Sequence, residues 1–392
     1  MSNIVIPDGG NIGSASDTDA ISISSSGAVT LSSDFVPATP LSNRNMIING
    51  AMRVAQRGTS STVNDYGTVD RFRSNLGNND ENATQSQHVL TSSDTGPYEE
   101  GFRRSFRITN GNQTNGAGTS DTSGMLYRME SQDIANSGWN YLSSSSYITL
   151  SFWCKSSVAQ NFYGRLTSQY GTQQNYPFET GSLSANTWAK ITKSIPGNSN
   201  LQFDNTNGLG LDIEFTTFRG TDLTGSVSLN TWAAYNASTR VPDMTSTWYT
   251  TDDATWEITG VQLERGQVAT PFEHRTFADE LLRCQRYYQN SYRLGETPAT
   301  STPNHADGQY FTRWDDGNVT GPRWTVAMRA APSVTIRGYG SNTTGQVKVN
   351  GGSFVTNSSA QAINHQSSAY INIPDSTAGV WAHYTWEAFS EL

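Results

Sequence analysis

Charge is scarce in this chain. Only 15 % of its 392 residues are Asp, Glu, Lys or Arg, against roughly 25 % in ordinary soluble proteins, and the balance is acidic, at −9. No Lys/Arg run is longer than the Arg103-Arg104 pair. The basic footprint that phosphate neutralisation needs is missing, so no nucleic-acid partner is expected. Long apolar runs are missing too. Nothing approaches eighteen residues, so no membrane insertion is expected. Met1–Asp8 lack a charged n-region followed by an apolar stretch, so no secretory signal is read there.

The residues that usually carry chemistry are few. The two cysteines, Cys154 and Cys284, fall on a strand-like run and on the apolar face of a helix. Both are expected to be buried, reduced thiols rather than a disulfide. The five histidines, His88, His274, His305, His365 and His383, belong to no HExxH, HxH or Cys/His cluster of metal-ligand spacing. There is no Gly-x-Ser-x-Gly elbow and no phosphate-cradling glycine loop. No catalytic residue, metal or cofactor is therefore expected. Glu257 and Glu264 could form a two-carboxylate glycosidase pair, but any β-protein supplies such pairs. Glu264 with Arg265, and Glu273 with Arg275, read more simply as structural ion pairs. Asp252-Asp253 and Asp315-Asp316 could offer calcium its hard oxygens, though acids in loops are more often just solvated.

Hydroxyls, amides and aromatics take the place of charge. Aromatic residues make up 11 % of the chain, with 10 Trp, a composition suited to solvent-facing β-structure and to neutral polar ligands such as sugars. Trp139, Tyr141, Trp232, Tyr235 and Trp248 sit in polar, loop-like segments, and Trp314 and Trp381 lie in an aromatic-rich C-terminal part. These seven are the candidate ligand-binding residues. Core packing is the competing explanation for each of them.

Residues 1–44 are a Gly/Ser/Asp/Ala-rich arm. Ala20–Ser24 and Ala28–Leu31 alternate apolar and hydroxyl residues around Ser25-Ser26-Gly27, a hairpin signal. Residues 45–275 read as all-β, with strands near Arg71–Arg73, Phe102–Ile108, Tyr147–Lys155, Asn161–Leu166, Trp188–Ile195, Leu209–Phe218 and Thr255–Leu263. Short strands spread through long Gly/Ser/Asn loops point to a jelly-roll β-sandwich, with two smaller β-domains as the alternative. In the last of these strands a one-residue slip at Gly260 suggests a bulge, and Pro271 is expected to stop the strand. Thr276 then caps a helix, with Asp279 three residues on. Phe277, Leu281, Cys284 and Tyr288 share one face of it. Phe277, Leu281 and Tyr288 are the candidate assembly interface. Residues 276–295 form this linking helix, and 296–392 a C-terminal antiparallel β-domain whose strands include Gln309–Trp314, Arg323–Met328 and Val380–Phe389. The fold class is mostly β: a jelly-roll sandwich, one linking α-helix and a C-terminal antiparallel β-domain.

Three stretches together resemble a family of phage tail-fibre and virion structural proteins with a carbohydrate-binding-module-like jelly roll. Asn45–Thr59 (NMIINGAMRVAQRGT) with Val69–Phe72 (VDRF) resembles the opening of its module. Ile258–Gly266, Ala269–Arg275 (ATPFEHR) and Glu280–Tyr288 (ELLRCQRYY) resemble its end. Ala327–Ile336 (AMRAAPSVTI) and Phe389–Leu392 (FSEL) resemble its C-terminal β-portion. Asn11–Ile21 looks like segments of marine-phage fibres. The resemblance implies a non-enzymatic virion protein, commonly a homotrimer, made in the host cytoplasm. It further implies an N-terminal arm that docks on other phage tail proteins and a distal part that meets a host surface polysaccharide or glycoprotein. It supplies no catalytic or ligand residues. A structural adaptor or decoration protein, and a polysaccharide depolymerase, are the alternative functions.

Overall fold

Ile21, Ile23, Val29 and Leu31 are the apolar positions of the N-terminal hairpin. In a computed structural model, β1 (Asn11–Ser14), β2 (Asp17–Ile23) and β3 (Val29–Leu31) form a three-stranded antiparallel sheet. Ile21 stands opposite Leu31 and Ile23 opposite Val29, so the expected hairpin is present, with β1 added before it. The structure describes residues 11–14, 17–25, 29–31, 42–299, 309–312, 318–349, 353–356, 358–361, 366–373 and 381–392. The chain divides into two units, Met1–Arg44 and Asn45–Leu392.

The second unit opens with β4 (Ser60–Ser61), β5 (Phe72–Ser74), β6 (Thr84–Val89), β7 (Arg104–Thr109) and β8 (Thr122–Glu130). A five-residue helix, α1 (Ser131–Ala135), follows. Then come β9 (Tyr147–Ser156), β10 (Gln160–Ser168), β11 (Gln174–Leu183), β12 (Ala189–Pro196), β13 (Leu209–Arg219), β14 (Ala233–Ala234) and β15 (Thr255–Arg265). They form two six-stranded sheets, ordered β12-β9-β15-β7-β6-β4 and β14-β11-β10-β13-β8-β5, antiparallel throughout. The chain crosses repeatedly from one sheet to the other, as a jelly roll requires.

Alternation along each strand builds the core between the sheets. Ile148, Leu150, Phe152 and Cys154 point inward from β9, and Leu211, Ile213 and Phe215 from β13. Phe152 meets Phe215 edge-on at 4.9 Å. Each fully buried side chain of this size is worth roughly 1.5–3 kcal/mol. Three strands escape the alternation rule. β6 (TQSQHV) is polar, β8 is buried on both faces over most of its length, and β11 carries Pro177 and Gly181.

The slip in β15 is real. Its register against β9 shifts between Thr259 and Gln262, and Gly260 holds φ at +63°, where a side chain would be strained. A Cβ there would lie 2.7 Å from the Phe102 ring. The strand stops at Arg265, well before Pro271, because Gly266 at φ +126° turns the chain away. Helix α2 (Phe277–Gln285) starts as expected: the Thr276 side chain accepts from Asp279 N at 3.2 Å. It ends earlier than expected.

The C-terminal strands are β16 (Tyr288–Asn290), β17 (Gln309–Thr312), β18 (Asn318–Arg323), β19 (Ser333–Gly338), β20 (Val347–Val349), β21 (Ser353–Val355), β22 (Ser359–Gln361), β23 (Ser368–Asn372) and β24 (Trp381–Phe389). β24 is the hub, pairing with β16, β17, β19 and β20. Trp324, Met328, Ile336, Tyr384 and Trp386 belong to a core separate from that of the sandwich. The strand expected over Arg323–Met328 lies earlier, ending at Arg323. The two backbone N–H groups of Trp324 and Met328 instead donate to Ser367 and Gln366.

Candidate functional site

Most of the loop tryptophans are structural. Trp248, Trp139 and Trp232 are 0 %, 3 % and 7 % exposed. Their indole N–H groups donate to the carbonyls of Thr255, Ser146 and Pro196 at 3.0, 3.2 and 2.7 Å. These three expectations of ligand contact are corrected: loops at the ends of a sandwich fold over its core, and a large ring gains more by burial than by display. Tyr141 is half-buried and packs edge-on against Phe203 at 5.0 Å and Trp139 at 6.2 Å. Trp314 and the side chain of Trp381 lie outside the described residues. Tyr235 differs. It is half-buried, and its ring lies 5.5 Å from the Arg165 guanidinium and 6.0 Å from that of Arg240.

Tyr235 stands beside the outer face of the second sheet. Leu211, Ile213 and Phe215 face the core, so Asp212, Glu214 and Thr216 between them face outward. Register then lays polar side chains in rows across the sheet. Asn175, Thr167, Asp212 and Arg128 form one row, Arg165 stands opposite Glu214 in the next, and Glu179, Tyr163 and Thr216 form a third. The segment after β14 supplies Tyr235 and Arg240, fastened where Asn175 Nδ2 donates to the Arg240 carbonyl at 2.8 Å.

This floor is polar yet buried. Asp212, Glu214, Thr216, Arg165 and Arg219 are each 7 % exposed or less. Glu214 is held by Arg165 Nε at 2.7 Å, by Asn75 Nδ2 at 3.1 Å and by Arg219. Burial pushes its carboxyl up, but Arg219 and Arg165 outweigh that and hold it at about 2. Asp212 goes the other way. Burial raises it to about 6, only partly countered by Arg128 and Arg165. Thr216 Oγ1, Arg219 Nε and Arg219 Nη1 make no hydrogen bond within the described residues. Buried polar atoms left without partners are costly and rare in folded proteins. Among the described members of the seven aromatics, Tyr235 alone belongs to this face. The other groups were legible at most as polar positions alternating with the apolar ones of β10 and β13.

Both acids of the candidate pair, Glu257 and Glu264, are engaged by neighbours. Glu257 accepts from Ser105 Oγ at 2.7 Å and Arg107 Nη2 at 3.0 Å. Glu264 accepts from Thr270 N at 2.8 Å and Thr270 Oγ1 at 2.7 Å. Glu273 does pair with Arg275, at 3.1 Å. Both cysteines are free and buried. No group of acids, histidines and cysteines among the described residues could hold a metal ion.

The expected assembly face is split by the structure. Phe277 is 37 % exposed and Leu281 half-buried. Tyr288 is instead buried inside the chain, on β16. Its ring lies 3.7 Å from the Arg57 guanidinium and its hydroxyl donates to Glu387 at 2.8 Å. It is a joint between sandwich and C-terminal strands, so its expected place on the helical face is corrected.

No family model matches the chain, and no curated protein matches it by sequence. Solved structures similar to it include bacteriophage CBA120 tailspike protein 4 (enzymatically active domain), at 10 % identity and TM-score 0.30. That match covers 57 % of this chain and 21 % of the tailspike domain, so the chain spans about a fifth of it. A putative sugar-binding protein from Bacteroides thetaiotaomicron matches at 11 % identity and TM-score 0.28, covering 57 % of this chain and all of that one (100 %). The N-terminal cellulose-binding domain of Cellulomonas fimi β-1,4-glucanase C matches at 9 % identity and TM-score 0.26, covering 55 % of this chain and 99 % of that one. The mostly β, jelly-roll-like architecture of this chain has neighbours among carbohydrate-binding domains and a phage tailspike domain.

Proposed function

We propose that this chain is a non-enzymatic attachment protein of a phage virion, whose sandwich binds a host surface glycan on the outer face of the second sheet. The observation that carries the binding reading is the half-buried Tyr235 ring beside the Arg165 and Arg240 guanidiniums, 5.5 and 6.0 Å away, at a polar sheet face. A sugar presents hydroxyls to such polar groups and an apolar ring face to the tyrosine. The resemblance of Asn45–Thr59 and Ala269–Arg275 to tail-fibre proteins supplies the virion setting. In that setting the N-terminal arm docks on other tail proteins and three copies act together. Trimeric display would convert weak single-site binding into useful avidity.

The occupied valences of Glu214 favour binding over hydrolysis. Its two oxygens already accept from Asn75, Arg165 and Arg219, which leaves it poorly placed to attack a sugar or activate water. The test is to screen the purified full chain against a panel of bacterial surface polysaccharides, with Tyr235→Ala and Arg240→Gln alongside. Binding by the wild type that both variants lose, with unchanged unfolding midpoints, supports the reading. Loss of neither variant's binding moves the site elsewhere, and release of oligosaccharide from a bound polymer makes the protein a depolymerase. If saturating protein leaves phage adsorption to its host unchanged, the attachment role is wrong.

A further inference from the structure

A second surface carries a different chemistry. Beside the first sheet, the 97–104 segment meets the start of α2 around a cavity of about 470 Å³, lined among others by Arg53, Phe102, Arg103, Arg104, His274 and Phe277. Three guanidiniums line it, in a chain whose net charge is −9. Several sandwich arginines meet carboxylates, as Arg57, Arg71, Arg165 and Arg219 do. These three make no ion pair among the described residues. Arg53 donates to the Arg275 carbonyl at 3.0 Å and lies 5.7 Å from the Phe277 ring. Arg103 donates to the carbonyls of Tyr98 and Phe102, both at 2.8 Å, and stacks 3.8 Å from the Tyr98 ring. Arg104 donates to the Arg103 carbonyl at 3.3 Å.

The neighbouring acids are already engaged. Glu100 takes Lys190 at 2.8 Å and the Trp153 indole at 3.0 Å. Glu99 accepts from Gly96 N at 3.2 Å, Glu273 from Asn45 N at 2.8 Å, Asp279 from Thr276 Oγ1 at 2.7 Å and Glu280 from Asn49 N at 2.7 Å. Three cations therefore face one cavity with no carboxylate lining it. A guanidinium whose bonds run to backbone carbonyls keeps N–H donors for an oxyanion, and three of them bind one in forked geometry.

The cavity does not stand alone. His274 also lines an adjoining space of about 580 Å³, together with Lys190, Thr192, Thr270, Phe272 and Glu100, whose carboxylate is paired with Lys190 at 2.8 Å. Phe102, Phe272 and His274 form a ring cluster between the two, with centroids 4.8–5.1 Å apart. His274 Nε2 sits 2.8 Å from the Glu100 carbonyl and fixes the divide. An anionic group beside arginines, flanked by aromatic and hydroxyl-lined space, fits a polymer with both charged and neutral sugar units.

We infer that this groove binds an acidic saccharide, its carboxylate or sulfate held by Arg53, Arg103 and Arg104 and a neighbouring sugar ring placed against Phe272 and His274. The inference extends the glycan reading to a second site, and the two fail separately, because the first concerns neutral hydroxyl recognition on the other sheet. The experiment titrates the full chain, by calorimetry, with alginate oligosaccharide, with dextran sulfate and with uncharged dextran of similar length. Alginate tests the carboxylate and dextran sulfate the sulfate ester. At least one charged polymer is expected to bind and dextran not to. Arg103→Gln with Arg104→Gln should weaken that binding tenfold or more, and Arg53→Gln, on a separate loop, several-fold. Arg323→Gln on β18, the same change of charge as Arg53→Gln, should leave it unchanged. The inference is overturned if neither charged polymer binds, if the groove variants bind like the wild type, or if Arg323→Gln costs as much as they do. Failure of Tyr235→Ala to affect a neutral glycan would sink only the first site.

Discussion

Arg57 Nη2 and Glu391 Oε1 lie 3.0 Å apart, although 334 positions separate them in sequence. Glu391 also takes Arg71, and all three side chains are almost fully buried. One carboxylate near the end of the chain thus neutralises two cations from the start of the sandwich. Removing it would leave Arg71 buried without a carboxylate and Arg57 with Asp70 alone, at 3.2 Å. Glu391→Gln should cost about 3–5 kcal/mol of stability, read as a lower denaturant midpoint. A midpoint within about 0.5 kcal/mol of wild type would mean that the two arginines find other partners.

Gly260 should tolerate no side chain. Alanine there faces the left-handed backbone penalty and the Phe102 ring together, so Gly260→Ala should lose about 2–4 kcal/mol. Phe102→Leu combined with Gly260→Ala should recover part of that loss, because the ring is the nearer obstacle. Thermal unfolding of the four proteins in the cycle measures the coupling.

Asp212 makes stability fall as pH rises. Its carboxyl, ordinarily near 3.8 and held at about 6 in the fold, binds its proton more tightly folded than unfolded. The stabilisation is complete below 3.8 and is lost as pH climbs through about 6. Asp212→Asn removes this dependence, so the stability difference between variant and wild type should shift in the variant's favour by up to about 3 kcal/mol across that window. Denaturant melts at pH 4 and pH 7 decide it. An unchanged difference would show that Asp212 titrates normally.

Trp232 and Tyr235, three positions apart, should behave as different kinds of residue. Trp232→Ala should cost about 3–5 kcal/mol through the cavity it leaves. Tyr235→Ala should cost about 1 kcal/mol or less and act on ligand affinity. If Trp232→Ala unfolds no more easily than Tyr235→Ala, the burial of its ring is overstated.

The two cysteines should be silent in the folded protein. Burial drives the Cys154 thiol up to about 12, and Cys284 is raised by burial and by Asp70 and Glu280. A thiolate reagent should label neither under native conditions and both in denaturant. Rapid native labelling would overturn their placement.

The sequence by itself determined whatever depends on near neighbours. Alternation fixed β15 and the N-terminal hairpin, because inward and outward side chains repeat every second residue. Gly260 announced its bulge, Thr276 its cap, and scarce cysteine its reduced state. Each of these is a local constraint.

Tertiary structure decided the rest. The helical stripe ended early because Tyr288 pairs with Phe389 from the far end of the chain, a partner no local period reveals. The loop tryptophans read as display sites, yet Trp139, Trp232 and Trp248 close the core, since the free energy of burial depends on what a loop folds over. The opposite happened to Asp212, Glu214 and Thr216. They were unremarked polar positions on one strand until strand register set them beside Arg128, Arg165 and Tyr163. A polar face of this kind is a property of strands brought side by side, and only long-range pairing does that.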